Sequence, residues 1–321
     1  MQVDIELLKE FEKGLDPEYP EKSRIPARVL GYGEISTIFE IESDTTAGLA
    51  CKRLPLFRTS DEAESYEKLY NSYNATLSDV IGIKVPAHGF AWFTDDKGRI
   101  TAFVTQQKLA ADSIGNRAIH IMDTENIRTL FLLILRQLNK VWEYNRANPD
   151  IALGIDGQIS NWAMENFSGA NTGPGQDATL IYFDTSTPLM KNAGTEQLDP
   201  ELFLRSAPSF LVWLIRWLFL KDVITRYYDA RLVTIDLIAN FYKEQRPELI
   251  PALVETANKF YASEGIGLAI EPITEKEIKS YYGEDRVIWA VFLAFRRFDR
   301  RLHKHILRKP YRYILPGPIK R

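Results

Sequence analysis

Cysteine is almost missing from these 321 residues; Cys51 stands alone. A single thiol makes no internal disulfide, and no Cys/His cluster has the spacing of a zinc site. Histidine is scarce too, and the four copies (His88, His120, His303, His305) are scattered, which argues against histidine-ligated metal chemistry. No apolar run approaches the length of a membrane span, and the longest, Phe210 to Leu220, is broken by Arg216. Nor does one charge sign dominate: forty Lys and Arg against forty-three Asp and Glu give −3, which excludes a uniformly basic nucleic-acid binder. Residues 1–20 are charged from Asp4 onward and lack the apolar centre of a signal peptide. A cytoplasmic protein without an integral membrane segment is expected.

What is present describes a globular chain. Apolar residues at 45% and charged residues at 26% suit a folded core, and the length suits two domains or one two-lobed unit. Charge is unevenly placed. From Arg296 to Arg321 there are ten Lys and Arg and one acid, Asp299, leaving about −12 on residues 1–295.

Residues 4–13 read as a short amphipathic helix closed by Gly14. Alternating, β-branched stretches follow at 27–30, 37–42 and 49–54, then at 87–94 and 99–106 about an Asp95–Gly98 hairpin turn. Between the third and fourth lies a helical stretch to about Leu77, with Ser60 as its N-cap. After Lys108 the periodicity turns helical: Asn126 to Asn145, then about 200–230, 231–244, 248–263 and 285–308. Short strands or loops fall at 151–164 and 178–184, separated by a glycine-rich insertion at 168–177, and the Trp/Phe stripe of 210–220 reads as helix-packing core. The expectation is an α+β fold: an extension (1–24), a five-stranded antiparallel β lobe with one helix (25–108) and a mainly helical lobe (109–321), with a cleft between the lobes.

Four segments carry chemistry. Gly31, Gly33 and Ser36 form G-x-G-x-x-S in the first hairpin turn, where bare backbone can offer N–H donors to phosphate oxygens. Lys52 sits in an apolar strand and needs an anionic partner; of Glu62, Glu64 and Glu67, Glu62 shares a helix face with Tyr66, Leu69 and Tyr73. Asp156 and Asn161 lie five residues apart in a loop, a carboxylate able to accept a hydroxyl proton and an amide oxygen able to coordinate Mg²⁺. Asp184 ends the apolar run Leu180–Phe183, a natural place for a metal ligand.

Glycine hairpin, strand lysine, helix glutamate, D-x-x-x-x-N and strand-end aspartate, in this order over residues 25–245, resemble the protein-kinase-like superfamily, in its aminoglycoside and choline phosphotransferase branch. The resemblance implies a two-lobed kinase-like fold and ATP with Mg²⁺ as cofactors. It implies Lys52 on the nucleotide phosphates and paired with Glu62, Asp156 as base, and Asn161 and Asp184 on the metal. It also places Gln107 and Leu109 at the adenine hinge. The chain departs from that pattern at Gly154, where the family usually has His, and after Asp184, where Thr185-Ser186-Thr187-Pro188 replaces D-F-G; no activation loop is recognisable. The implied activity is phosphoryl transfer to a hydroxyl of a small metabolite. A nucleotide-binding pseudokinase and a protein nucleotidyltransferase are the alternatives, and the acceptor and oligomeric state stay open. The basic C-terminal helix and the extended Pro310–Pro318 run could meet an anionic partner, a neighbour or the cleft. Cys51 reads as a buried strand residue and Trp162 as packing.

Overall fold

The computed structural model describes residues 1, 3–33, 36–167, 169, 173–175, 177–205, 225–265, 267–308 and 311–316. Strands β1 (Ala27–Tyr32), β2 (Thr37–Ile41), β3 (Leu49–Leu54), β4 (His88–Thr94) and β5 (Ile100–Gln107) form one antiparallel sheet in the order β1-β2-β3-β5-β4. The α+β architecture expected from the sequence is the one observed.

Strand alternation sends each face of this sheet to a different helix. On one face Phe39, Cys51 and Phe103 meet α1 (Ile5–Gly14), whose Leu8 and Phe11 are fully buried. Phe11 packs edge-on against Phe39 and Phe103, with ring centres 5.5 and 6.2 Å apart. The segment before the first strand is therefore a piece of the sheet's core, and burying each such ring is worth roughly 2–3 kcal/mol. On the other face Leu54, Ala102 and Val104 meet Tyr66 and Tyr70 of α2 (Ser60–Ala75). The cap of α2 is Thr59, whose hydroxyl accepts from the Glu62 amide at 3.3 Å, one residue earlier than expected.

In the helical lobe, α3 (Thr124–Ala147) buries Ile127, Leu130, Phe131, Ile134, Leu138 and Val141, the i, i+3, i+4 stripe visible in the sequence. Around it pack α4 (Ala230–Lys243), buried from Val233 through Phe241, and α5 (Ile250–Ser263). The last long helix, α6 (Glu275–Leu302), starts ten residues before the expected position, at a Thr274/Glu277 capping box. Of the helix expected over 200–230, two short turns, Glu201–Leu204 and Arg226–Tyr228, are described, and the 210–220 stripe lies outside the described residues, as do residues 168, 170–172 and 176 of the 168–177 insertion.

The chain then returns to the β lobe. Ile314 joins the α1-side core, the Arg312 carbonyl accepts from Arg53 at 2.8 Å, and the Tyr313 hydroxyl donates to the Arg205 carbonyl at 2.8 Å. Arg53 is held on its other side by Glu12 in a two-pronged pair, both contacts 2.6 Å and both side chains buried. The tail thus touches both the sheet, at Arg53, and the segment after the floor strands, at Arg205.

Candidate active site

Five short strands of the helical lobe build the floor of the site. β7 (Trp162–Met164) pairs with β8 (Leu180–Tyr182), and the Phe183 amide donates to the Asn161 carbonyl at 3.1 Å, which sets Asn161 and Asp184 at neighbouring ends of one ladder. β6 (Ile151–Leu153) pairs with β9 (Met190–Asn192) and leads into the Asp156 loop, while β10 (Thr195–Glu196) adds the edge.

Lys52 reaches this floor from the sheet. Its position in β3, opposite Val104, puts it on the α2 side, and its ammonium meets Asp184 Oδ1 at 2.9 Å and donates to the Ser186 hydroxyl. The pair is largely shielded, with side chains 15% and 29% exposed. Burial pushes the Asp184 carboxyl up, and the Lys52 ammonium and Ser186 hydroxyl outweigh it, so the group is held below its ordinary range. The residues after Asp184 are locked: Thr185 and Ser186 are buried, Tyr66 of α2 donates to the Ser186 carbonyl, and the Gln106 amide donates to the Thr185 hydroxyl at 3.2 Å. Where the resemblance led one to look for D-F-G, the chain has a short segment fastened to the sheet and α2.

Asp156 lies deep in the loop. The Gln158 amide donates to its Oδ1 at 3.1 Å, and the Asn161 side chain donates to its carbonyl at 3.2 Å. Burial first, then the charges of Asp236 and Asp184, raise its carboxyl to about 7. Asp236, on α4, is raised by burial in the same way and accepts from the Gln158 side chain at 3.2 Å. A carboxylate poised near neutrality suits proton transfer. Behind it, Gly154 explains the missing histidine. A Cβ there would stand 3.0 Å from Leu189 Cβ and 3.2 Å from a Tyr228 ring carbon, while the Gly154 carbonyl takes the Tyr73 hydroxyl at 2.8 Å. The space of a larger residue is filled by Leu189 and Tyr228.

Over the site hangs the β1–β2 turn. The Gly33 amide donates to the Ser36 carbonyl at 3.1 Å, and a Cβ on Gly33 would meet Ser36 Oγ at 2.6 Å and Lys52 Cε at 3.7 Å. Ser36 Oγ is buried without a hydrogen-bond partner among the described residues. Bare backbone at Gly33, an unsatisfied hydroxyl and the Lys52 ammonium make a cradle that fits phosphate oxygens. Gly31 stands further back, paired with Ile38 in the ladder after a bulge. At the expected hinge the Gln107 amide donates to the Ala87 carbonyl at 2.9 Å, whereas Leu109 makes no hydrogen bond among the described residues. For a metal, Asp184, Asn161 and Asp156 offer oxygen donors only, the set Mg²⁺ prefers, although no group of three or more His, Cys, Asp or Glu is placed to hold a metal among the described residues.

One expected contact is not formed. Glu62 pairs with Arg205, not Lys52, at 2.6 and 2.9 Å, and also accepts the Arg58 amide at 2.7 Å. Those donors hold its carboxyl down at about 2. Glu62 sits in the first turn of α2, against Arg205; one turn on, Tyr66 reaches the Ser186 carbonyl beside Asp184, and three turns on, Tyr73 reaches the Gly154 carbonyl before Asp156. Arg205, Ser186, Gln158 and Asp236 all act here without having been singled out. Only Ser186 had a local signal, as a hydroxyl two residues beyond the strand-end acid. Cys51 is buried, and burial pushes its thiol up to about 12, so it is packing. Trp162 is likewise buried against Tyr182.

A lobe built on a five-stranded antiparallel sheet followed by a mainly helical lobe is the fold class expected from the sequence. The chain belongs to a family of unknown function, DUF6206, whose model matches residues 20–300. No curated protein matches it in sequence. Among solved structures, it is similar to the GDP complex of wild-type aminoglycoside 2'-phosphotransferase-IIIa at 10% identity and a TM-score of 0.34, covering 82% of this chain and 100% of that one. It is also similar to WaaP in complex with acyl carrier protein, at 12% identity and a TM-score of 0.33, over 74% and 90% of the two chains.

Proposed function

We propose that the chain is an ATP- and Mg²⁺-dependent phosphotransferase acting on a hydroxyl of a small metabolite. The observation that carries this reading is the meeting of Lys52, Asp184 and Ser186 beneath the Gly33/Ser36 turn, with the Asp156 carboxyl held near neutrality alongside. Lys52 supplies the cation for the phosphates, and the Gly33 backbone and Ser36 hydroxyl line their path. Mg²⁺, held by Asp184 and Asn161, would neutralise charge on the transferring group. Asp156 orients the acceptor and takes its hydroxyl proton as the oxygen attacks phosphorus and the bond to the leaving ADP oxygen breaks. Positioning and charge neutralisation supply most of the rate in such a reaction.

A second reading, a nucleotide-binding regulatory module, draws on Glu62 lying on Arg205 while Lys52 lies on Asp184. Incubation of the protein and a metabolite panel with ATP labelled at either the α or the γ phosphate separates the possibilities. The expected result is γ label on an acceptor, lost in Asp156→Asn, which should still bind Mg·ATP. α label on a protein acceptor would mean nucleotidyl transfer, and nucleotide binding without transfer of either label would favour the regulatory module.

A further inference from the structure

The outward side of α6 is not that of an ordinary solvated helix. Val287, Ile288 and Val291 are exposed, Val287 at 58%, and the apolar line continues in exposed Phe298 and, past the helix end, Ile306 and Leu307, of which Ile306 is 70% exposed. A contiguous apolar strip of this length marks an interaction surface rather than scattered surface residues. One flank of it is cationic. Arg286, Arg301 and Arg308 are exposed and form no ion pair among the described residues, while Lys304 meets Glu18 at 2.9 Å in an exposed pair. From Arg286 to Arg308 the sole acid is Asp299, and it is buried, 3.3 Å from His303. Apart from His305, the groups that the helix itself exposes between Arg286 and Arg308 are apolar or cationic, over about 30 Å, with Glu18 of the neighbouring segment set against Lys304.

We propose that this side of α6 docks on the surface of an anionic lipid bilayer, lying in the interface with Val287, Val291 and Ile306 among the acyl chains and Arg286, Arg301 and Arg308 at the headgroup phosphates. A helix with an exposed apolar line and a cationic border has the composition of an interfacial anchor. Charge decides the occupant. A second copy of the chain, joined about a two-fold axis, would bring the same arginines against each other. A nucleic acid would satisfy the cations and leave the aliphatic strip against phosphates. α6 itself, like every helix among the described residues, is not long and apolar enough to cross a membrane, so it would lie on the bilayer rather than through it.

The test is sedimentation of the full chain with phosphatidylcholine vesicles, with and without one-third phosphatidylglycerol. Binding to the anionic vesicles should exceed binding to the neutral ones by roughly tenfold and weaken as salt shortens the Debye length. Val287→Asp with Val291→Asp should lower that binding at least about tenfold, as should Arg286→Glu with Arg301→Glu. Ile306→Ser at the most exposed position is an independent second probe, and an unchanged melting temperature shows that the variants fold. Absence of binding to anionic vesicles at low salt overturns the proposal. So does binding that all these variants retain, a concentration-dependent dimer abolished by Val291→Asp in a chain that ignores vesicles, or retention on RNA in their place.

Discussion

Asp156 combines two demands that conflict. Its surroundings disfavour the charged carboxylate, yet a base must be ionised to accept a proton. In the folded chain its pKa lies above the ordinary value near 4. The stability it contributes is therefore full below about pH 4 and is lost as pH rises through about 7. Asp156→Asn should accordingly stabilise the protein at pH 8, by on the order of a few kcal/mol, and give no gain at pH 4. Chemical denaturation at the two pH values measures this, and an Asn variant less stable at pH 8 would show that the carboxylate is better satisfied than the geometry indicates. Under the proposed function, turnover should rise with pH up to about 7 and then level. The residue's candidacy was legible in the loop pattern. Its poise was not, because that depends on Asp236, eighty residues later, brought close only by the burial of α4.

Elements differ in how plainly they can be read. The five strands of the first sheet declared themselves through alternation and turn residues, since each strand needs only its own neighbours to show two unlike faces. The start of α6 was missed because Gly283 interrupts the apolar period; Thr274 and Glu277 carried the better signal. The buried side of α2 at Tyr66 and Tyr73 was legible, but the partner of Glu62 was not, because the Glu62–Arg205 contact joins residues 143 positions apart. Such a pair, 29% and 12% exposed, should couple by about 1 kcal/mol. A double-mutant cycle with Glu62→Gln and Arg205→Lys, followed by thermal melting, should find that coupling, and strictly additive effects would remove the pair from the stability of α2. Catalysis under the proposed function should be less sensitive to Glu62→Gln than to Lys52→Ala, since Lys52 already has Asp184 and Ser186 as partners.

At the scale of the molecule, the basic end of the chain divides into two parts with different duties. The outward side of α6 meets solvent, whereas residues 311–316 close the β lobe. Ile314 is 7% exposed among Ala27, Phe39 and Ile41, and Ile314→Ala should cost about 2 kcal/mol or more, a loss of several degrees in Tm. Truncation after Arg308 should cost more than that single substitution, because it also takes the Arg312 carbonyl from a buried Arg53. Scanning calorimetry of both variants decides it, and an unchanged melt for the truncation would mean that the Arg53–Glu12 pair and the α1 core suffice alone.

The position of Ile314 has a further consequence for how the protein is made. The strands of the sheet are complete in the chain at Gln107, yet the residue that seals one of its faces is synthesised about 200 positions later. At ordinary rates of elongation that interval is on the order of ten seconds or more, far longer than hydrophobic collapse. For that time the emerging β lobe presents part of its apolar face to the cell, and a ribosome-associated chaperone would find there a client that matures only when the far end arrives.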